Sequence, residues 1–347
     1  MKRKKILLTG GAGFIGSHIV DLFLRETDYD IISLDRLDYS GNLNRLDSIV
    51  REFPESERKR VKVVWHDLKA EITDLSSNFI GNVDIILHLA ASSHVDRSIT
   101  HPMEFVMDNT VGTVNVLNYA RRCTNLERMI YFSTDEIYGI APNNIAYKER
   151  DRYNSTNPYS ASKAAAEEFC VAYENTYSLP IYITHTMNVF GQRQHPEKFI
   201  PMCIRKIRDG ELIGIHSDST KTIPGSRFYI HGEDVADAML FLLSMDEKRL
   251  KIVHTPDETG AKCPKFNVVG KEEINNVQMM NYIAEAQGKK PVFEMIDFHT
   301  SRPGHDLRYA LSGDYMESLG WKPHISLKDR INQVTEWSLK NPEWINL

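Results

Sequence analysis

The chain has 347 residues, 41% of them hydrophobic and 26% charged, enough to bury a large core in one integrated unit with two lobes. A formal net charge of -5 gives no reason to expect a nucleic-acid partner. No apolar run reaches membrane-spanning length, and the four cysteines are scattered without CxxC spacing, so reduced thiols in a cytoplasmic protein are expected rather than disulfides or a metal site.

The basic start KRKK lacks the apolar core of a signal peptide. KILLT, residues 5–9, reads as a buried strand, and GGAGFIGSHIVDLFL turns out of it into an amphipathic helix. Gly10, Gly13 and Gly16 are spaced G-x-x-G-x-x-G, where small residues allow a tight turn, close approach of a pyrophosphate, and helix–strand packing. Amides at the helix start, at Phe14 and Ile15, complete a diphosphate site. The next strand, DIISLD, ends at Asp35, whose carboxylate can accept both adenosine ribose hydroxyls and repel a 2′-phosphate. NAD is therefore expected over NADP, with Arg36 beside it as a second cofactor contact.

Residues 41–60 are polar and read as a loop with a short helix. VKVVWHD leads to Asp67 and Leu68, a carboxylate for the adenine amino group and an apolar contact for its face. VDIILHLAA, 83–91, is another buried strand whose end, at Ala90, passes beneath the centre of the cofactor. The following loop carries Ser93, His94 and Arg97, and Pro102 opens a helix containing Asn109. That asparagine reads equally well as a structural polar group or as the anchor of a relay water.

The fifth strand, ERMIYFS, runs into Thr134, Asp135 and Glu136. Two adjacent carboxylates at a strand end are costly as mere structure, and that edge of a sheet is where ligands bind. Tyr159 and Lys163, four residues apart in a helical segment, share one face. IYITHTMNVFG, 181–191, supplies one further strand. This alternation predicts an α/β fold, a doubly wound parallel sheet of Rossmann type with a smaller C-terminal lobe. Residues 1–190 are expected mainly to bind NAD, and residues 191–347 mainly to bind substrate, with segments returning to the first part. In that second part, HPEKFIPMCIRKIRDG and EEINNVQMMNYIAEAQGK read as helices and KPVFEMIDF as a strand, with KIVHTP ahead of the second helix in the final quarter. The 13 histidines show neither HExxH nor paired Cys/His spacing, so no metal is expected.

The glycine loop with Tyr159-x-x-x-Lys163, the run Thr134-Asp135-Glu136, HPEKFIP at 195–201 and RPGHDLRYA at 302–310 together resemble the extended short-chain dehydrogenase/reductase superfamily. Within it, the chain looks like the nucleotide-diphosphate-hexose 4,6-dehydratases, from about Lys5 to Trp344. The resemblance implies that NAD takes hydride from C4 of the hexose while Tyr159, with Lys163 lowering its pKa, removes the C4 hydroxyl proton. Thr134 then holds the C4 oxygen, Glu136 abstracts the C5 proton, and Asp135 protonates the departing C6 hydroxyl. Hydride returns to C6, giving a 4-keto-6-deoxy sugar and water.

It further implies substrate contacts at Ser93, Asn188, Glu197, Lys198, Phe199 and Tyr309, a diphosphate clamp at Arg227 and Arg302, and a positioning role for His305. A homodimer through the helices carrying Asn109 and Tyr159 is also implied. Departures fall on substrate-holding surfaces: Ser92 stands where the family has glutamate, SRFYIH replaces an RDW phrase, and MNVFGQRQ replaces an NNYGPY-like phrase. Glucose carried on dTDP or UDP is the leading substrate. The alternatives are an epimerase or decarboxylase of the same superfamily, which needs no Asp135-Glu136 pair, and a non-catalytic NAD-binding protein.

Overall fold

A computed structural model describes residues 3–142, 144–245, 263–297 and 308–346. Its strands in chain order are β1 Lys5–Thr9, β2 Asp30–Asp35, β3 Val61–Trp65, β4 Ile85–His88, β5 Arg128–Thr134 and β6 Ile181–Thr186. They continue with β7 Asn188–Phe190, β8 Leu212–Ser217, β9 Ser226–His231, β10 Lys265–Val268, β11 Glu273–Asn275 and β12 Val292–Asp297.

Seven of these form one parallel sheet in the order β3-β2-β1-β4-β5-β6-β10. The order reverses between β1 and β4, so their C-terminal ends diverge into the crevice where such sheets bind ligands. Apolar clusters cover both faces. Leu8, Ile31, Leu87 and Phe132 join the helices Phe14–Glu26 and Gly232–Ser244 on one side. Leu7, Ile86, Met129 and Ile183 join Val116, Leu117, Ala166 and Cys170 on the other. Each such side chain contributes about 1.5–3 kcal/mol when fully buried. This two-sided burial explains why the strands read as unbroken apolar runs rather than alternating ones.

A three-stranded sheet, β11-β9-β7, and the pair β12-β8 lie outside this sheet. Their core gathers Ile200, Ile204, Ile213, Met279, Ile283 and Ile331.

Two expectations are corrected, and one strand is added to them. The single strand expected over 181–191 is two. Through Thr186 the chain pairs with β5, whereas Asn188–Phe190 pairs with Tyr229–His231 of β9, the break falling at buried Met187. The helix expected over 272–289 begins only at Asn276, because Glu273–Asn275 pairs with β9 and Asn275 with Gln278 forms a capping box. The seventh strand, KFNV, went unpredicted, since four residues carrying Lys265 and a fully buried Asn267 show no periodicity. The KIVHTP segment lies outside the described residues.

Candidate active site

Gly10 turns out of β1 with φ +72, a region that side chains disfavour. A Cβ on Gly10 would meet the Ala90 nitrogen at 3.0 Å, and one on Gly13 or Gly16 would meet the Gly10 carbonyl at 2.9 or 2.2 Å. Only glycine lets the loop, the end of β4 and the first turn of the helix close on one another. Gly13 caps that helix without a side-chain hydrogen bond, so the first-turn amides, Phe14 and Ile15 among them, have no side-chain acceptor. An NAD diphosphate fits this cradle.

Asp35 ends β2, is 8% exposed, and accepts the Leu37 N–H at 2.8 Å. Burial raises its pKa above the ordinary carboxylate value. Arg36 points away from the role of a 2′-phosphate ligand. It donates to both oxygens of Asp108 at 2.7 and 3.0 Å and to Asp38 at 2.6 Å. Asp67 lies 3.9 Å from Arg36, and Leu68 is buried against Gly112. At the end of β4, His88 is fully buried between Thr9 at 2.7 Å and Thr113 at 3.0 Å, and burial pushes its pKa down to about 3. It is a neutral structural group.

β5 delivers Thr134 and Asp135 into a buried position, and a short 3-10 turn, Asp135–Tyr138, follows. Thr134 donates to Asp135 Oδ1 at 3.0 Å. Burial raises the Asp135 pKa to about 6, opposed by the Thr134 hydrogen bond and the charge of Arg227. The other carboxyl oxygen, Oδ2, is buried without a hydrogen bond. Glu136 accepts from the Asn157 amide at 3.0 Å.

Tyr159 sits in the first turn of the helix Pro158–Tyr177, buried against Val95 and Phe105 and hydrogen-bonded to Thr134. A chain of contacts thus joins Tyr159, Thr134 and Asp135. The expectation that Lys163 lowers the Tyr159 pKa is not met in this geometry. Burial raises it well above the usual phenol value, the charges of Glu136 and Asp135 add to the rise, and Thr134 opposes it. The Lys163 ammonium instead donates to the Phe132 carbonyl at 2.5 Å and lies 4.3 Å over the Tyr131 ring. Its own pKa is lowered to about 7, again by burial.

On the substrate side, Arg227 of β9 lies 4.9 Å from the buried Tyr309 ring. Arg227 is thereby brought to Asp135, on which its charge acts. Asn188 lies on β7 opposite Tyr229, and Ser93 is exposed in the loop after β4. Glu197 and Lys198 are exposed ahead of the helix Phe199–Asp209, whose first residue packs into the lobe core. Tyr39 links their loop to the segment after β4, meeting His195 at 6.4 Å on one side and Arg97 at 4.2 Å on the other. Glu197 lies 3.7 Å from His195 in the same loop. Arg302 and His305 lie outside the described residues.

Asn109 is a clamp. Its side chain accepts the Ser92 N–H at 2.7 Å and donates to the Ser92 carbonyl at 3.0 Å and to Ser162 at 2.9 Å. It sits in a π-helical segment, Val106–Val111. Sequence reasoning missed Asn157 and Tyr39. The first carried a signal, since Asn-Pro-x-Ser reads as a helix cap with proline at the first helical position. Tyr39 carried none.

Among the described residues there is no cluster of potential metal ligands, and no helix is long and apolar enough to cross a membrane. The family profile for GDP-mannose 4,6 dehydratase matches residues 7–334. The dTDP-glucose 4,6-dehydratase of Salmonella typhimurium is 34% identical over 99% of this chain and 94% of its own length. A trifunctional UDP-glucose 4,6-dehydratase, epimerase and reductase of Arabidopsis thaliana is 35% identical over 99% of this chain, which spans 48% of that protein's length. The crystal structure of dTDP-glucose 4,6-dehydratase from Streptomyces venezuelae, with NAD bound, superposes with a TM-score of 0.83 at 30% identity and covers 98% of each chain.

Proposed function

The chain belongs to the nucleotide-sugar 4,6-dehydratase family of extended short-chain dehydrogenases/reductases, and from that premise we propose how its own residues carry an NAD-dependent dehydration of dTDP- or UDP-glucose. Bound NAD supplies the hydride acceptor for C4 and, once reduced, the donor for C6. Gly10, Gly13, Phe14, Ile15 and Gly16 hold its diphosphate, Asp35 its ribose, and Asp67, Leu68, Arg36 and Ala90 line its adenine and central parts. Lys163 binds near the nicotinamide ribose.

Tyr159, as the phenolate, takes the proton from the C4 hydroxyl, and Thr134 orients that oxygen. The positive charge of NAD, when bound, would favour the phenolate that burial disfavours in its absence. The resulting ketone acidifies C5, whose proton passes to Glu136. Asp135 gives its proton to the C6 hydroxyl, which leaves as water. Glu136 then returns its proton to C5 as hydride reaches C6. The atoms balance, but Tyr159 ends protonated and Asp135 ionised. Thr134, in contact with both, is the bridge through which that proton returns.

The observation that carries this reading is Asp135, buried beside Tyr159 through Thr134 with its pKa raised to about 6. A buried carboxyl whose pKa is raised toward neutrality, beside a second carboxylate, supports elimination, which needs an acid and a base together. Epimerisation at C4 gives such a pair nothing to do.

Residues 1–190 form the main NAD-binding part and 191–347 the main substrate part, supported by β10 of the latter returning to pair with β6. Asn188, Glu197, Lys198, Phe199, Arg227, Tyr309 and Ser93, with Arg302 and His305, hold the nucleotide and sugar. A homodimer through the helices bearing Asn109 and Tyr159 is supported by exposed Met103, Val106, Met107 and Phe169 on these elements. The free, mostly buried cysteines support a reducing, cytoplasmic setting.

The test is a panel of nucleotide-diphosphate hexoses. Mass spectrometry should show loss of one water from a glucose nucleotide without net NADH. C4 inversion alone, or no turnover across the panel, overturns the reading. In parallel, Glu136→Gln should keep fold and cofactor while blocking product formation.

A further inference from the structure

We propose that Asn157 aims Glu136 at the C5 proton, a positioning residue that ties the elimination base to the redox helix; this rests on the reading of Glu136 as the base. Asn157 is 6% exposed and stands immediately before Pro158, at the start of the helix that carries Tyr159 and Lys163. Its two polar atoms do separate work. Oδ1 accepts the Ser160 N–H at 2.8 Å, capping the helix, while Nδ2 donates to Glu136 Oε2 at 3.0 Å.

The cap makes the second contact directional. Ser160 closes a capping box, accepting the Asn157 N–H at 3.3 Å, so the Asn157 backbone and side chain are both held by the helix start. With Oδ1 fixed on the Ser160 amide, the planar amide group leaves Nδ2 one direction, toward Glu136. Glu136 follows Asp135 in a single 3-10 turn, and a donor fixed on Oε2 restricts the three rotatable bonds of its side chain. A donor on Oε2 favours the ionised carboxylate and fixes which of its oxygens faces Asn157. Tyr159 lies two residues beyond Asn157 on the same capped turn, so one side chain sets the separation between the phenol and the base.

A cap alone does not require asparagine, because serine and aspartate cap equally well. The requirement for an amide comes from Glu136. Asn157→Ser and Asn157→Asp both preserve the cap and remove the donor, and the second also sets a like charge against the carboxylate.

Both variants should melt close to the parent, retain NAD, and still show reduced-nicotinamide absorbance on mixing with substrate, since oxidation at C4 does not involve Glu136. Deuterium incorporation at C5 from solvent and product formation should fall about 10- to 100-fold, the effect of one lost hydrogen bond to a charged group, and reduced cofactor should accumulate. The Asp variant should be the more impaired. If Glu136→Gln stalls elimination but both Asn157 variants turn over like the parent, Asn157 is a cap only and the proposal falls. If either variant loses melting temperature, oxidation and elimination together, its role is in the fold and the proposal likewise falls. If Glu136→Gln itself makes product normally, the base assignment fails instead.

Discussion

The Thr134 hydroxyl donates to Asp135 at 3.0 Å and is hydrogen-bonded to the Tyr159 phenol, making one threonine the link between the proposed C4 base and the proposed C6 acid. Asp135 works as an acid only while protonated, so elimination should fall as pH rises through its pKa of about 6. The Thr134 hydrogen bond lowers that pKa by favouring the carboxylate. Thr134→Val should therefore move the falling limb of the pH–rate profile upward while reducing kcat about 10- to 100-fold through loss of the bridge. Thr134→Ser should restore both. A Val variant whose limb moved downward would contradict the geometry.

Behind the site lies an ion-pair network centred on the fully buried Glu167 and His185. Glu167, on the same helix as Tyr159 and Lys163, meets His185 at 3.1 Å and Lys265 at 2.9 Å, and accepts from Tyr153. His185 in turn lies 3.2 Å from Tyr138, which ends the turn carrying Asp135 and Glu136. Burial opposes ionisation of Glu167, but His185 and Lys265 overcome it and hold its pKa far below the ordinary 4.5. A depressed carboxylate pKa adds stability above its unfolded value and loses it as pH falls. The melting temperature should thus drop on acidification below about pH 4.5. Glu167→Gln, which leaves Lys265 without its buried partner, should cost about 3–5 kcal/mol at neutral pH and flatten that dependence. Denaturant titrations across pH measure both.

The sequence made the sheet legible strand by strand wherever burial on both faces left an apolar run, as in KILLT, DIISLD and RMIYFST. It failed where pairing was decided by distant partners. Asn188–Phe190 and Glu273–Asn275 are strands only because β9 lies between them. The proposed catalytic types stood out for a related reason, since Asp135, Glu136 and Tyr159 are expensive groups placed at element ends. Their electrostatics did not. Four-residue spacing put Lys163 near Tyr159 along the helix, but Lys163 is drawn to the Phe132 carbonyl, a contact made across 31 positions of sequence. Asn157 was hidden because an asparagine before proline is explained completely by its cap until Glu136 is seen beside it.

The glycine loop gives a test of cofactor binding separate from chemistry. A Cβ at Gly16 would fall 2.2 Å from the Gly10 carbonyl and 2.7 Å from the Gly11 Cα, both backbone, so the loop must shift. Gly16→Ala should cost about 1–3 kcal/mol of stability and weaken NAD binding by at least about 10-fold. Cofactor content after purification and calorimetric titration with NAD report it. A variant with unchanged NAD affinity would show that the diphosphate is held elsewhere.

Arg36 provides the last prediction, because its position beside Asp35 suggests an affinity for a 2′-phosphate that its contacts oppose. The guanidinium is held by two carboxylates, and Asp108 is fixed in turn by Ser92, whose hydroxyl donates to it at 2.5 Å. Two conditions must then change before NADP is accepted: the repelling carboxylate at Asp35 must go, and Arg36 must be released. Asp35→Ser alone should weaken NAD binding and gain little for NADP. Asp108→Asn alone should leave the preference nearly unchanged, since Asp35 still repels the phosphate. Together they should shift the NADP-to-NAD affinity ratio by at least about 10-fold beyond the product of the single effects, as expected for one new charge-assisted hydrogen bond. Titration of each variant with both cofactors completes the cycle, and strictly additive single effects would show that Asp108 does not restrain Arg36.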